Sequence, residues 1–147
     1  MGRIFDDRVD FAINNIWINP WSGNGEKALR LLTEAANEED GDACFFLARC
    51  YFGPSFVNPI FGFPEDDELG FEWLNKGLEY GSPVAMFGAM RVGGFEPKNG
   101  TFIYPPFTSL REIWDKVEEM AYSGEVFCQY MIANAYYYGD CIKMLNI

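Results

Sequence analysis

The stretch LGFEWLNKGLEYG, residues 69–81, decides the fold. Leu69, Trp73, Leu74 and Leu78 recur at helical spacing, with Phe71 beside them. Glu65, Asp66, Asp67 and Glu68 lead into it, where negative charge suits the positive end of a helix dipole. Gly81 stands just past the end, where glycine closes a helix in the left-handed conformation. Ser82-Pro83 follows, with proline in a first helical turn where its missing donor costs nothing. The stretch therefore predicts one helix, a tight turn and the start of a second helix.

Two other segments carry the same pattern. One is KALRLLTEAANEEDGDACFFLARCYFG from Lys27, and the other is LREIWDKVEEMAYSGEVFCQYMIANAYYYG from Leu110. Aligned with the central unit, they place Ala35-Ala36, Gly77-Leu78 and Met120-Ala121 at equivalent positions. In the second helix of each unit Ala43, Ala85 and Cys128 coincide, then Leu47-Ala48, Ala89-Met90 and Ile132-Ala133, then Tyr51, Gly93 and Tyr136. Ala43 to Ala85 is 42 residues and Ala85 to Cys128 is 43. A period in this range with two helices per unit signals stacked helical repeats. Small residues at facing positions let helices approach closely, and Trp73 and Trp114 are expected to fill the gap between successive pairs.

Along the chain, helices are predicted over residues 6–18, 26–38, 43–52, 69–81, 84–92, 110–122 and 126–138, with no strand. Asp42 is the expected cap of the third, and Ser109 with Glu112 forms a capping-box pattern before the sixth. Two long connections, 53–64 and 94–108, are rich in proline and glycine yet carry Phe56, Phe61, Phe63, Phe102, Tyr104 and Phe107. Such loops either bind a partner or fold down to cap the helices.

The repeat resembles the Sel-one-like repeat, a longer-turned relative of the tetratricopeptide repeat. Trp73, Lys76 and Gly81 match that family's pattern in the central unit, with Gly70 and Gly77 in place of alanines. Lys27-Ala28, Ala35-Ala36, Ala43, Leu47, Tyr51 and Gly53 match before it, and Trp114, Ala121, Gly124, Ala133, Tyr136 and Gly139 after it. Ala48 stands where the family has glycine, and both loops are longer than usual. The resemblance implies an all-α fold: a short right-handed α-solenoid of antiparallel helix pairs, about seven helices in all. It would form one domain over 1–147 with its repeat core at about 27–139. It also implies a concave surface, lined by the second helix of each pair, that takes a peptide or protein.

On that surface the sequence places a ladder. Counting from Ala43, Ala85 and Cys128, the residue two later is Phe45, Phe87 and Tyr130, and the residue six later is Arg49, Arg91 and Asn134. The two offsets are one helical turn apart, so each pair shares a face. Phe52 and Tyr137 extend it. Aromatic residues beside arginine dominate interface energetics, and the alternative is that the rings pack between repeats.

Composition narrows the function further. Acids outnumber bases 22 to 11, giving a formal charge of −11, which repels nucleic acid and anionic membrane and suits a basic partner. No stretch reaches the apolar length of a membrane helix, and the first residues carry acids where a secretory signal carries a basic and then an apolar run, so a cytoplasmic location is expected. With no histidine anywhere, the Ser-His-Asp and Cys-His systems are absent. Cys44, Cys50, Cys128 and Cys141 form no C-x-x-C pair, so no metal and no cofactor are expected, and the thiols read as small buried apolar groups. Gly-Asn-Gly-Glu-Lys at 23–27 lacks phosphate-loop spacing and reads as a turn before a helix.

The expectation is a non-enzymatic interaction module binding a peptide or protein on its concave face. Two alternatives stand beside it. One is a small acidic inhibitor, such as a bacterial immunity protein that neutralises a basic toxin. The other is a structural segment of a longer repeat protein, because the apolar tail Ile142, Met144, Leu145 and Ile147 offers no polar cap; a second copy of the chain is one candidate to cover it.

Overall fold

The computed structural model describes residues 4–139. Among them are seven α-helices and no strand: α1 (Asp7–Ala12), α2 (Gly25–Asn37), α3 (Gly41–Tyr51), α4 (Asp67–Glu79), α5 (Pro83–Ala89), α6 (Leu110–Tyr122) and α7 (Val126–Tyr138). The fold is all-α. No helix among the described residues is long and apolar enough to cross a membrane. The expected contacts of the apolar tail, and Cys141, lie outside the described residues.

Three helix pairs, α2–α3, α4–α5 and α6–α7, are joined by the same backbone device. After α4, Gly81 N–H donates to Leu78 O (3.0 Å) and Ser82 N–H to Gly77 O (3.1 Å). Glu39 and Asp40 repeat this against Ala36 and Ala35, and Gly124 and Glu125 against Ala121 and Met120. The pattern consumes carbonyls that a helix end would leave open. It needs one residue in the left-handed region: Gly81 at φ 79° and Gly124 at φ 103°, and in the first joint Glu39 at φ 67°.

The residue that closes one helix then caps the next. Asp40 accepts from Ala43 N–H (2.9 Å), the Ser82 hydroxyl oxygen from Ala85 N–H (3.1 Å) and the Glu125 carboxylate from Cys128 N–H (2.6 Å). This corrects the expectation for α3, whose cap is Asp40 and not Asp42. Asp42 sits in the first turn instead, where it accepts a 2.6 Å hydrogen bond from the Ser82 hydroxyl of the next pair. At α6 Ser109 caps as expected, accepting from Glu112 N–H (3.2 Å), while the Glu112 carboxylate accepts from the Thr108 hydroxyl.

Small residues bring the pairs together. A Cβ added at Gly77 would stand 2.9 Å from Ala85 Cβ and 3.1 Å from the Gly41 carbonyl oxygen, so α3, α4 and α5 meet there almost backbone to backbone. The two tryptophans part company. Trp114 is 3% exposed and packs on Phe87 with ring centroids 5.5 Å apart, filling the gap between pairs as expected. Trp73 is only half-buried, with Lys76 Nζ 4.6 Å from its ring centre.

The first helix departs from its simple periodic reading. After Ala12 it widens into a π-helical segment, Ile13–Ile18. Such widening occurs where tertiary contacts outweigh local geometry. Here it accompanies a Trp17 ring packed between Phe46 (5.5 Å) and Phe127 of α7 (6.1 Å), with its indole N–H donating to Phe56 O (2.7 Å). The first and last helices of the described chain thus touch through one aromatic cluster. The long connections fold down on the helices: Phe56 packs on Phe52 (5.2 Å), and Phe95 on Phe71 (5.6 Å).

Candidate functional site

The C-terminal halves of α3 and α5 face the middle of α7 across a cleft of about 150 Å³. Seven of the eight residues placed on the ladder line it: Phe45, Arg49, Phe52, Phe87, Arg91, Tyr130 and Asn134. They do not form an exposed ladder. Phe45 and Phe87 are 2% and 0% exposed and make the cleft's floor, because each belongs to the core between helix pairs. Phe52 is nearly as buried, Arg49, Arg91 and Asn134 are half-buried, and Tyr130 stands out at the rim, 53% exposed. Tyr137 is not in the cleft; it lies on the surface with its ring against Tyr138 (4.9 Å).

The structure adds residues that the repeat register does not point to. Phe56 comes from the connection after α3, and Phe127 and Met131 from the other offsets of α7. Gly88 completes the floor: a Cβ there would stand 2.4 Å from the Phe45 ring, so glycine is what lets that ring lie against α5. A second cavity of about 350 Å³ lies behind, between the π-helical segment and α7. Arg49, Phe56, Phe127 and Tyr130 border both cavities.

Arg49 is the centre of this arrangement. Its guanidinium carbon lies 4.8 Å from the ring centre of Phe127, 5.1 Å from Phe56, 5.6 Å from Trp17 and 5.9 Å from Phe45. Four aromatic rings supplied by four segments thus surround one cation. Their negative faces attract it, which offsets part of the cost of removing it from water. They offer no acceptor for its N–H donors, and Nε is sealed from solvent with no hydrogen-bond partner. Among the described residues no carboxylate lies within ion-pair distance of it. Burial pulls its pKa down from 12.5 to about 10, so it still carries its charge at neutral pH. Arg91, further along the cleft, lies 5.7 Å from the Tyr138 ring centre.

The cleft's lining holds two cations, an amide and a phenol among apolar walls, with no thiol. Cys44, Cys50 and Cys128 are buried free thiols elsewhere in the core. Burial raises all three, Cys44 to about 12, which keeps them protonated and unreactive. Among the described residues no group of three or more candidate ligands comes together to hold a metal ion. None of the protein-family models, curated proteins or solved structures with which the chain was compared matches it.

Proposed function

We propose that the chain is a non-enzymatic binding module that takes a peptide segment of a protein partner in the cleft between α3, α5 and α7. The carrying observation is the cleft itself, an apolar trough with the Arg49 guanidinium in its wall, its Nε sealed and without a partner, and an exposed Tyr130 at its rim. Tyrosine and arginine are the residue types that concentrate binding energy at interfaces. The three like joints support a short right-handed α-solenoid of the Sel-one-like type as the scaffold, since the same turn closes each helix pair at a period of 42 to 43 residues. In such a scaffold α3, α5 and α7 are the second helices of their pairs and share the inner face.

The test is direct. Peptides selected from a random phage-displayed library against the full chain should, as synthetic peptides, shift backbone resonances of α3, α5 and α7 around Phe45, Gly88 and Tyr130. Tyr130→Ala should weaken them by tenfold or more. Peptides that perturb only other surfaces, or selections that yield no peptide at all, would overturn the proposal.

A further inference from the structure

Among the described residues Arg49 has no carboxylate partner. It is ringed by Trp17, Phe45, Phe56 and Phe127, and its Nε is sealed from solvent with no acceptor. A guanidinium whose Nε is sealed from solvent without an oxyanion leaves a charge-assisted hydrogen bond unmade. We infer that Arg49 receives a carboxylate from the partner, and that this carboxylate is the side chain of a glutamate or aspartate flanked by apolar residues. The inference rests on the cleft reading above and specifies what that cleft selects.

Three features choose this ligand chemistry over its neighbours. A guanidinium presents its donors as a planar fork that matches two carboxylate oxygens. A phosphate brings a greater charge and a third oxygen, and the four rings around Arg49 supply no second cation to meet them; Arg91, the cleft's other cation, lies at the Tyr138 ring. A peptide's C-terminal carboxylate would carry its own backbone N–H and C=O groups between those rings, where few side chains can receive them. An acidic side chain instead reaches in on a methylene stem that suits aromatic walls, and leaves its backbone at the rim beside Tyr130 and Asn134. About 150 Å³ is room for one such side chain, and the apolar space behind Arg49 is ready for a flanking residue.

The experiment uses the peptides selected against the full chain, made with both ends capped. Those that bind the cleft are expected to carry Glu or Asp next to an aromatic or aliphatic residue, and Glu→Gln within the peptide is expected to weaken binding at least tenfold. Arg49→Met should weaken it to the same extent, and the Arg49 Nε–Hε resonance of the native chain should move on titration. Cleft-bound peptides that lack an acid, or that tolerate Glu→Gln, would overturn this inference while leaving the cleft reading standing. So would binding that is lost when the C-terminus is capped, because the carboxylate would then be the terminal one. Failure to find any cleft-directed peptide would overturn both. The Glu→Gln comparison on the native chain keeps the outcome decisive even where Arg49→Met folds poorly.

Discussion

Helix α3 carries two half-buried charged side chains two turns apart, and they are treated in opposite ways. Asp42, at the joint with α4–α5, accepts the Ser82 hydroxyl at 2.6 Å, and the same hydroxyl oxygen caps α5. Arg49, at the cleft, is given four rings and no acceptor. Burial pushes Asp42 up to about 6, so a proton can relieve it under mildly acidic conditions. Arg49 at about 10 has no such relief near neutral pH. The first group is part of the frame, tying one helix pair to the next through a hydrogen bond and a cap. The second contributes a charge that the frame does not use. A fold tolerates an unmet buried charge chiefly where function retains it.

The largest effect belongs to the frame. Trp114→Ala removes a fully buried ring from between Phe87 and Tyr136 and should cost about 3–5 kcal/mol in urea denaturation. Trp73→Ala, at a half-buried site, should cost no more than about 2 kcal/mol. Equal losses would erase the distinction between a tryptophan buried between helix pairs and one packed half-exposed against the core.

Asp42 is expected to give the next effect, and its sign runs against intuition for an acid that makes a hydrogen bond. Its folded value of about 6 stands above the ordinary 3.8, because desolvation outweighs the Ser82 bond. The folded chain therefore holds the proton more tightly than the unfolded one. Asp42's contribution to stability is full below about pH 4 and declines as pH rises to about 6, by about 3 kcal/mol. Asp40 and Glu125 add to the upward push and Lys116 opposes it. Asp42→Asn keeps an acceptor for Ser82 and should be more stable than the native chain at pH 7.5, with the gain vanishing by pH 4. A variant less stable at pH 7.5 would mean that the ionised carboxylate is the better partner there.

Much of the frame is legible in the chain. The boundaries of α6 and α7 follow from their apolar stripes and flanking Ser109 and Gly139, and the period of 42 to 43 residues marks the three joints. The cap of α3 was in reach as well, since Asp40 precedes Ala43 by the same three residues that separate Ser82 from Ala85. The π-helical Ile13–Ile18 was not legible, because its stripe of Ile13 and Ile16 is as compatible with an α-helix and Trp17 is placed by rings far away in sequence. The cleft falls between these cases. Repeat register brings Phe45, Phe87 and Tyr130 to one region, yet cannot show that the first two are core and the third rim. The cage is the least legible part: Trp17, Phe56 and Phe127 arrive from a widened helix, a long connection and the last helix. Nothing short-range announces that they meet on Arg49.

The smallest expected change in stability is also the most telling. Replacing Arg49 by methionine keeps an unbranched apolar stem against the four rings and removes the buried charge. Where a buried charge serves the fold, its removal costs several kcal/mol; where it is carried at the fold's expense, an apolar replacement is neutral or stabilising. Urea denaturation of Arg49→Met beside the native chain at neutral pH is therefore the direct measurement. A midpoint equal to or above that of the native chain is the predicted result. A loss of more than about 2 kcal/mol would contradict it, and would mean that the ring cage, rather than a partner's carboxylate, is what the guanidinium is there to serve.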